Sequence, residues 1–260
     1  MAISVASNYL VSVADCLFRD NRADTGGAIA GDLSHIVRCR LSGNTAYRDG
    51  AAFYGSSGLA AEQCLFVGNR VLDKGAVIRA GIHLLLTNTT ITGNRTPSGS
   101  LFRVGGRAPA NVVVLNSIVW DETPMFEDGR THYMNVSVSY SNVQGGWPGE
   151  GNIDVDPLFA APGYWDPNGT PDDPNDDFWV EGDYHLKSQG WSWDVWQGLW
   201  SWDDQTSPCI DAGDPNWPLG DEPACEAGDP LAERAAVNTR INIGAYGGTE
   251  QSSLAPHGAP

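Results

Sequence analysis

The densest group of chemistry-bearing residues in this 260-residue chain is DPNGTPDDPNDD, Asp166 to Asp177. Calcium takes six to eight oxygen ligands from carboxylates, amides and backbone carbonyls, and Asp166, Asn168, Asp172, Asp173, Asn175, Asp176 and Asp177 offer a surplus of them. The order is not that of an EF-hand and lacks its terminal glutamate, while Pro167, Pro171 and Pro174 stiffen the loop. The expectation is a calcium ion of structural role; the competing reading is a solvated acidic turn. Zinc and redox metals do not suit an oxygen-only set.

A second group follows at WSWDVWQGLWSW, where Trp191, Trp193, Trp196, Trp200 and Trp202 fall within twelve residues. Indoles at this density either plug a flank or an open end of a fold, or form a stacking platform for sugar rings. A third group is dispersed. Tyr54, Arg79, Arg103 and Tyr133 each lie four residues after a glycine: Gly50, Gly75, Gly99 and Gly129. Guanidinium forks bind carboxylates or sulfates and tyrosine offers a ring face, so this column suits an extended glycan. The alternative is that the arginine stems only cover apolar surface. Asp49 beside Lys74, and Arg48 beside Asp73, read first as cross-strand ion pairs. As a catalytic set, Asp49, Asp73 and Lys74 with Arg79 and Arg103 have the groups for proton abstraction next to a carboxylate, or for half of a glycosidase acid pair.

What positions these residues is a repeat. DCLFRDN (Asp15–Asn21), RCRLSGN (Arg38–Asn44), QCLFVGN (Gln63–Asn69) and NTTITGN (Asn88–Asn94) superimpose, with fainter copies at Asn116 and Tyr140. Asn21, Asn44, Asn69 and Asn94 are spaced 23, 25 and 25 residues apart, and GAIA, GAAF, GAVI and GSLF recur between them. A unit this small cannot bury its own apolar face, so it becomes stable by stacking into a solenoid. Equivalent positions then form ladders: Cys16, Cys39, Cys64, Thr89, Ser117 and Ser141 as an inward file of small residues, and the asparagines at a bend. The cysteine spacing follows the repeat and matches no zinc pattern. Cys209 and Cys225 lie outside it and are a candidate disulfide pair.

The C-x-x-x-x-N and G-G-A-I pattern resembles the right-handed parallel β-helix repeats of bacterial surface and secreted proteins, including polymorphic outer-membrane-type repeats, on the pectin-lyase-like fold. NIDVDPLF, DYHLKSQ, SPCIDAGDP and RINIGAYGG are similar to the closing coils of such modules. The resemblance covers about residues 10–250 and implies the fold; its members include lyases, hydrolases, adhesins and inert stalks. It implies an all-β, single-stranded right-handed parallel β-helix as one domain over 1–260. Regular coils run over 1–159, closing coils with Trp- and Asp-rich loops over 160–250, and a flexible tail over 251–260.

Composition agrees: 41% hydrophobic, 18% charged and 31 glycines suit a turn-rich β protein. A net charge of −17 repels nucleic acid and anionic membranes, and no apolar run is long enough to span a bilayer. The histidines are scattered, no serine sits in a nucleophile elbow, and neither a G-H-G motif nor a glycine-rich phosphate loop occurs. The expectation is a monomeric piece of a larger extracellular or cell-surface protein that binds or processes polysaccharide. If catalytic, it is a lyase or glycoside hydrolase working along the coils; the alternative is a non-catalytic adhesion module with structural calcium.

Overall fold

The computed structural model describes residues 3–5, 11–32, 35–105, 110–127, 134–223 and 230–258. It is a parallel β-solenoid. Strands of three to six residues, Ser12–Ala14, His35–Val37, Leu59–Glu62, His83–Thr87, Ala110–Leu115 and Met134–Ser139, stack in that order into one six-stranded parallel sheet. The strands that follow them, Leu17–Arg19, Arg40–Ser42, Leu65–Val67, Thr90–Thr92, Ile118–Trp120 and Asn142–Val143, build a second. A five-stranded sheet runs from Ile3–Val5 to Ser100–Val104, and a short three-stranded sheet from Arg22–Thr25 to Arg70–Val71 closes a corner.

The repeat motif explains the corners. The residue before each Cys/Thr/Ser position has a left-handed backbone: Asp15, Arg38, Gln63, Asn88, Asn116 and Tyr140 all have φ between 45° and 55°. This conformation costs a side-chain-bearing residue energy, so something must hold it. The turn points the next N–H inward, where the small side chain of the following coil accepts it: Thr89 N–H donates to Ser117 Oγ, and Ser117 N–H to Ser141 Oγ, each at 3.1 Å. Cys39 N–H meets Cys64 Sγ at 3.4 Å in the same way. The predicted file of small residues is therefore inward, and Cys39, Cys64, Thr89, Ser117 and Ser141 are buried.

The asparagine ladder is continuous. Asn21 gives both its backbone and its amide N–H to Asn44 Oδ1, Asn44 does the same to Asn69, and Asn69 to Asn94. The second amide hydrogen reaches back, from Asn44 to the Phe18 carbonyl and from Asn69 to that of Leu41, both at 2.9 Å. Asp121 ends the ladder, accepting the Asn94 backbone N–H at 2.8 Å and its amide at 3.1 Å. Inside, stacked Phe18, Leu41, Phe66 and Ile91, with Ile29, Phe53, Ile78 and Phe102 opposite, form the fully buried core.

Parallel stacking ends with the isolated bridge between Asn142 and Ile153. There Trp147 covers the core, its ring 5.7 Å from Phe126, which lies 5.8 Å from Phe102. Beyond Ile153 the segments expected as closing coils do not extend the stack. Phe159–Ala161 pairs antiparallel with Asp183–Leu186, and Cys209, Ile210, Ile243, Ala245 and Tyr246 lie along the outside of the second sheet. Leu65, Val67 and Ile118 present an apolar outer face there, which Trp179, Tyr184, Ile243 and Ala245 bury. The expected tail is also anchored: Leu254 is fully buried and pairs with Trp191. Among the described residues no helix is long and apolar enough to cross a membrane.

Burial pushes the Asp121 carboxyl up to about 6, above the value of about 3.9 in an unfolded chain. The folded protein thus holds this proton more tightly than the unfolded one. The stability Asp121 contributes is full below about pH 4 and falls as pH rises through about 6. In Asp121→Asn the acceptor stays and the titration goes. The difference in unfolding free energy, wild type minus variant, is expected to fall by about 2–3 kcal/mol between pH 4 and pH 7 in urea titrations. A pH-independent difference would contradict this.

Candidate functional site

The Tyr54–Arg79–Arg103 column exists as expected: Arg79 pairs in register with Tyr54 on one side and Arg103 on the other. The first coil is one residue shorter here, so Ala30 rather than Gly31 stands beside Tyr54. Tyr133, and with it Asp128, lie outside the described residues. The arginines already have partners. Arg103 donates to Asp49 Oδ2 at 3.1 Å and to the Glu127 carboxylate. Arg79 lies 3.7 Å from the same Asp49 oxygen and donates to the carbonyls of Ala80 and Gly105 at 3.1 and 3.0 Å. Asp49 Oδ1 accepts the Ala76 N–H at 2.8 Å. Asp49 is thus a half-buried hub between two guanidiniums, its side chain 15% exposed, rather than a base facing solvent.

The expected partners differ. Arg48 pairs with Asp24, 2.7 Å away on the preceding coil, instead of Asp73. Lys74 and Asp73 are exposed at the turn, and Asp49 faces the arginine column instead of Lys74. Two coils separate Asp49 from Arg103 in the stack, and side-chain length decides the match: only a long guanidinium crosses that gap. Of the five candidate catalytic residues, the structure brings Asp49, Arg79 and Arg103 together and leaves Asp73 and Lys74 outside.

The acidic stretch tops an antiparallel hairpin, Tyr164–Asp166 with Phe178–Val180. Its polar groups serve local turns: Asp166 accepts the Asn168 N–H at 2.8 Å, Asp173 accepts the Asn175 amide at 2.7 Å, and Thr170 donates to Asp176 at 2.7 Å. Asp172 is exposed. Among the described residues no three His, Cys, Asp or Glu side chains gather as a metal would need. The donor types suit calcium, but the arrangement is not a cage, and an ion would have to redraw the loop around itself. The counter-charges present are arginines: Arg95 holds Asp177 at 2.8 Å, and Arg70 donates to the Pro174 and Asn175 carbonyls at 2.5 and 3.2 Å.

The hairpin base is a packing anchor. Trp179 lies against Gly68 and Gly93, where an added Cβ would come within 2.1 and 2.2 Å of the indole. Both glycines are also left-handed, with φ of 60° and 67°, so glycine is required twice over. Beside it Glu181 binds Arg40 and Ser42 of the second coil. These contacts span some 140 residues of sequence and left no local signal; the glycine of each x-G-N corner was the only trace.

The tryptophan segment forms a hairpin, Ser192–Asp194 with Leu199–Ser201, in which Trp193 and Trp200 meet edge to face at 5.6 Å. It does not plug the solenoid end, a task Trp147 performs. Trp191 is tied down, its Nε1 donating to the Leu231 carbonyl at 2.7 Å. Trp196 at the turn is 65% exposed and Trp202 is 54% exposed, with Arg234 4.0 Å over the Trp202 ring. Asp194 caps the turn through the N–H groups of Trp196 and Gln197, both at 2.9 Å. Those hydrogen bonds hold its carboxyl below the usual carboxylate range. The turn that carries the exposed Trp196 is therefore capped by Asp194. Cys209 is buried and accepts from the Asn142 amide at 3.1 Å, while Cys225 lies outside the described residues.

No family model, curated protein or solved structure matches the chain.

Arg103→Met takes from the half-buried Asp49 and Glu127 the guanidinium they share, while Asp49 keeps Arg79. The expected loss is about 2 kcal/mol of unfolding free energy in urea titrations. A loss below about 0.5 kcal/mol would mean that the column is solvated and its charges free for a ligand.

Proposed function

We propose that this solenoid is a polysaccharide-binding module whose platform is the tryptophan hairpin, and that it binds without cleaving. The observation that carries this reading is the pair of exposed indoles, Trp196 and Trp202, held on a short capped hairpin of a rigid, strongly acidic protein. Exposed aromatic surface on a chain of net charge −17, with Arg234 over one face of Trp202 as the basic neighbour, favours sugar faces over nucleic acid or anionic membrane. The internal partners of Arg79, Arg103 and Asp49 weigh against a lyase or hydrolase along the column. In this reading Trp193 and Trp200 set the platform's geometry, and Tyr54, 38% exposed, is a secondary contact.

The same proposal includes a right-handed winding, kinship with the pectin-lyase-like superfamily, and a place at the cell surface within a larger protein. Calcium belongs to it only as a structural ion of the Asp166–Asp177 loop. Millimolar calcium is then expected to raise the melting temperature, and replacing Asp172, Asp173, Asp176 and Asp177 by Asn to abolish the rise. An unchanged melting curve in calcium removes the ion from the proposal.

Binding is tested by intrinsic fluorescence and pull-down on a panel of insoluble and soluble polysaccharides. Trp196→Ala with Trp202→Ala is expected to weaken binding at least about tenfold, each stacked ring being worth about 0.5–1.5 kcal/mol beyond its area. New reducing ends or unsaturated uronides in the same incubations would reinstate catalysis, and binding unaffected by the double variant would remove the platform.

A further inference from the structure

A cleft of about 460 Å³ opens where the three-stranded corner sheet meets the acidic hairpin, and Arg70, Arg95 and the Pro174–Asn175 backbone line it. Its walls include Val71, Leu72, Pro97 and Pro124, with Glu122 also at its edge. In a chain of charge −17, three arginines share this corner, for Arg22, Arg70 and Arg95 occupy equivalent positions on the coils. Arg70 is the unusual one. It is only 9% exposed, and among the described residues no carboxylate lies in ion-pair contact with it and its buried Nε has no hydrogen-bond partner. Its two terminal nitrogens are held only by carbonyls. A guanidinium this buried normally sits against a carboxylate, whereas here the negative charges of Asp177 and Asp176 act on it from beyond ion-pair contact.

The protein already shows which chemistry the corner accepts. The hairpin loop lays its backbone carbonyls on Arg70 and the Asp177 carboxylate on Arg95, while both guanidiniums stack over the Trp165 ring at 5.3 and 4.9 Å. We infer that the cleft is a docking site for an acidic, proline-containing peptide segment of a partner protein. The segment's carboxylate would reach Arg70 and share Arg95 with Asp177, and its proline rings would lie on Val71, Leu72 and Pro97. The volume is that of a small-ligand pocket, enough for a few residues, and the two guanidinium forks on its wall are the groups that bind carboxylates. The site is separate from the tryptophan hairpin and does not depend on what that hairpin binds.

The internal carboxylate makes the site testable by gain as well as loss. The probes are a capped Pro-Asp-Asp-Pro peptide, its Pro-Asn-Asn-Pro counterpart and a uronic-acid oligomer, titrated into the full chain by calorimetry and followed by Trp165-dependent fluorescence. The acidic peptide is expected to bind and the amide peptide not to. Asp177→Asn, nearly isosteric, frees Arg95 and is expected to tighten binding about threefold or more; Arg95→Gln is expected to weaken it about tenfold. Arg70→Lys, which keeps the charge but loses the fork, is expected to weaken it likewise. Equal binding of both peptides, or no tightening in Asp177→Asn, overturns the inference. Preference for the uronic-acid oligomer overturns it too, giving the cleft to carbohydrate. If Arg70→Lys fails to fold, the Asp177 and Arg95 variants decide.

Discussion

Every coil of this protein turns a corner that leaves backbone N–H groups pointing into the interior, and each must find an acceptor on the next coil. That constraint governs the rest. An unpaired buried N–H costs about 1–3 kcal/mol, and a solenoid repeats the debt at every turn. The asparagine ladder and the Cys/Thr/Ser file answer it with side chains from the following coil, so neighbouring coils satisfy one another. Spacing, sheet register and the inward direction of the aromatic stack all follow from keeping those donors and acceptors level.

The second layer of the structure grows from the same corners. The left-handed residue at each turn points its side chain outward, and the C-terminal segment docks on that file. Gln63 donates to the Gly247 and Gly248 carbonyls, Asn88 to those of Asn242 and Gly244, and Asn116 accepts the Asp214 N–H. Glu222, half-buried, accepts the Asn242 and Gly248 N–H groups at 2.9 Å. Burial raises its carboxyl above the ordinary range. What resembled further coils is thus a strap, fastened to the outer side of the turns whose inner side builds the stack.

The repeat was legible because it is enforced locally. C-x-x-x-x-N states a corner, a small inward residue and a ladder amide within seven positions, and Gly43, Gly68 and Gly93 confirm the second bend. The strap was not legible, because antiparallel hairpins and returning coils share alternating apolar residues and turn dipeptides. Only the outward Leu65, Val67 and Ile118, too apolar for a solvated face, hinted at a cover. Tyr54, Arg79 and Arg103 stand in one column as the repeat implies; the ion pairs differ from those expected. The repeat sets Asp49 beside Lys74 on the neighbouring coil, whereas in the stack a long arginine two coils away competes on equal terms. The acidic loop drew attention as a ligand set for a cation, and the cation it meets in the fold is arginine.

The ladder also has a direction. Every amide from Asn21 to Asn94 turns its oxygen toward the coil before it and a donor toward the coil after it, so the small dipoles add along the axis. The positive end of that sum falls on Asp121, whose carboxylate closes the series as an acid closes the start of an α-helix. The solenoid therefore behaves as a polar rod rather than a neutral stack. A coil inserted between Asn21 and Asp121 extends the rod only if its amide faces the same way. One inserted beyond Asp121 meets a terminus already discharged.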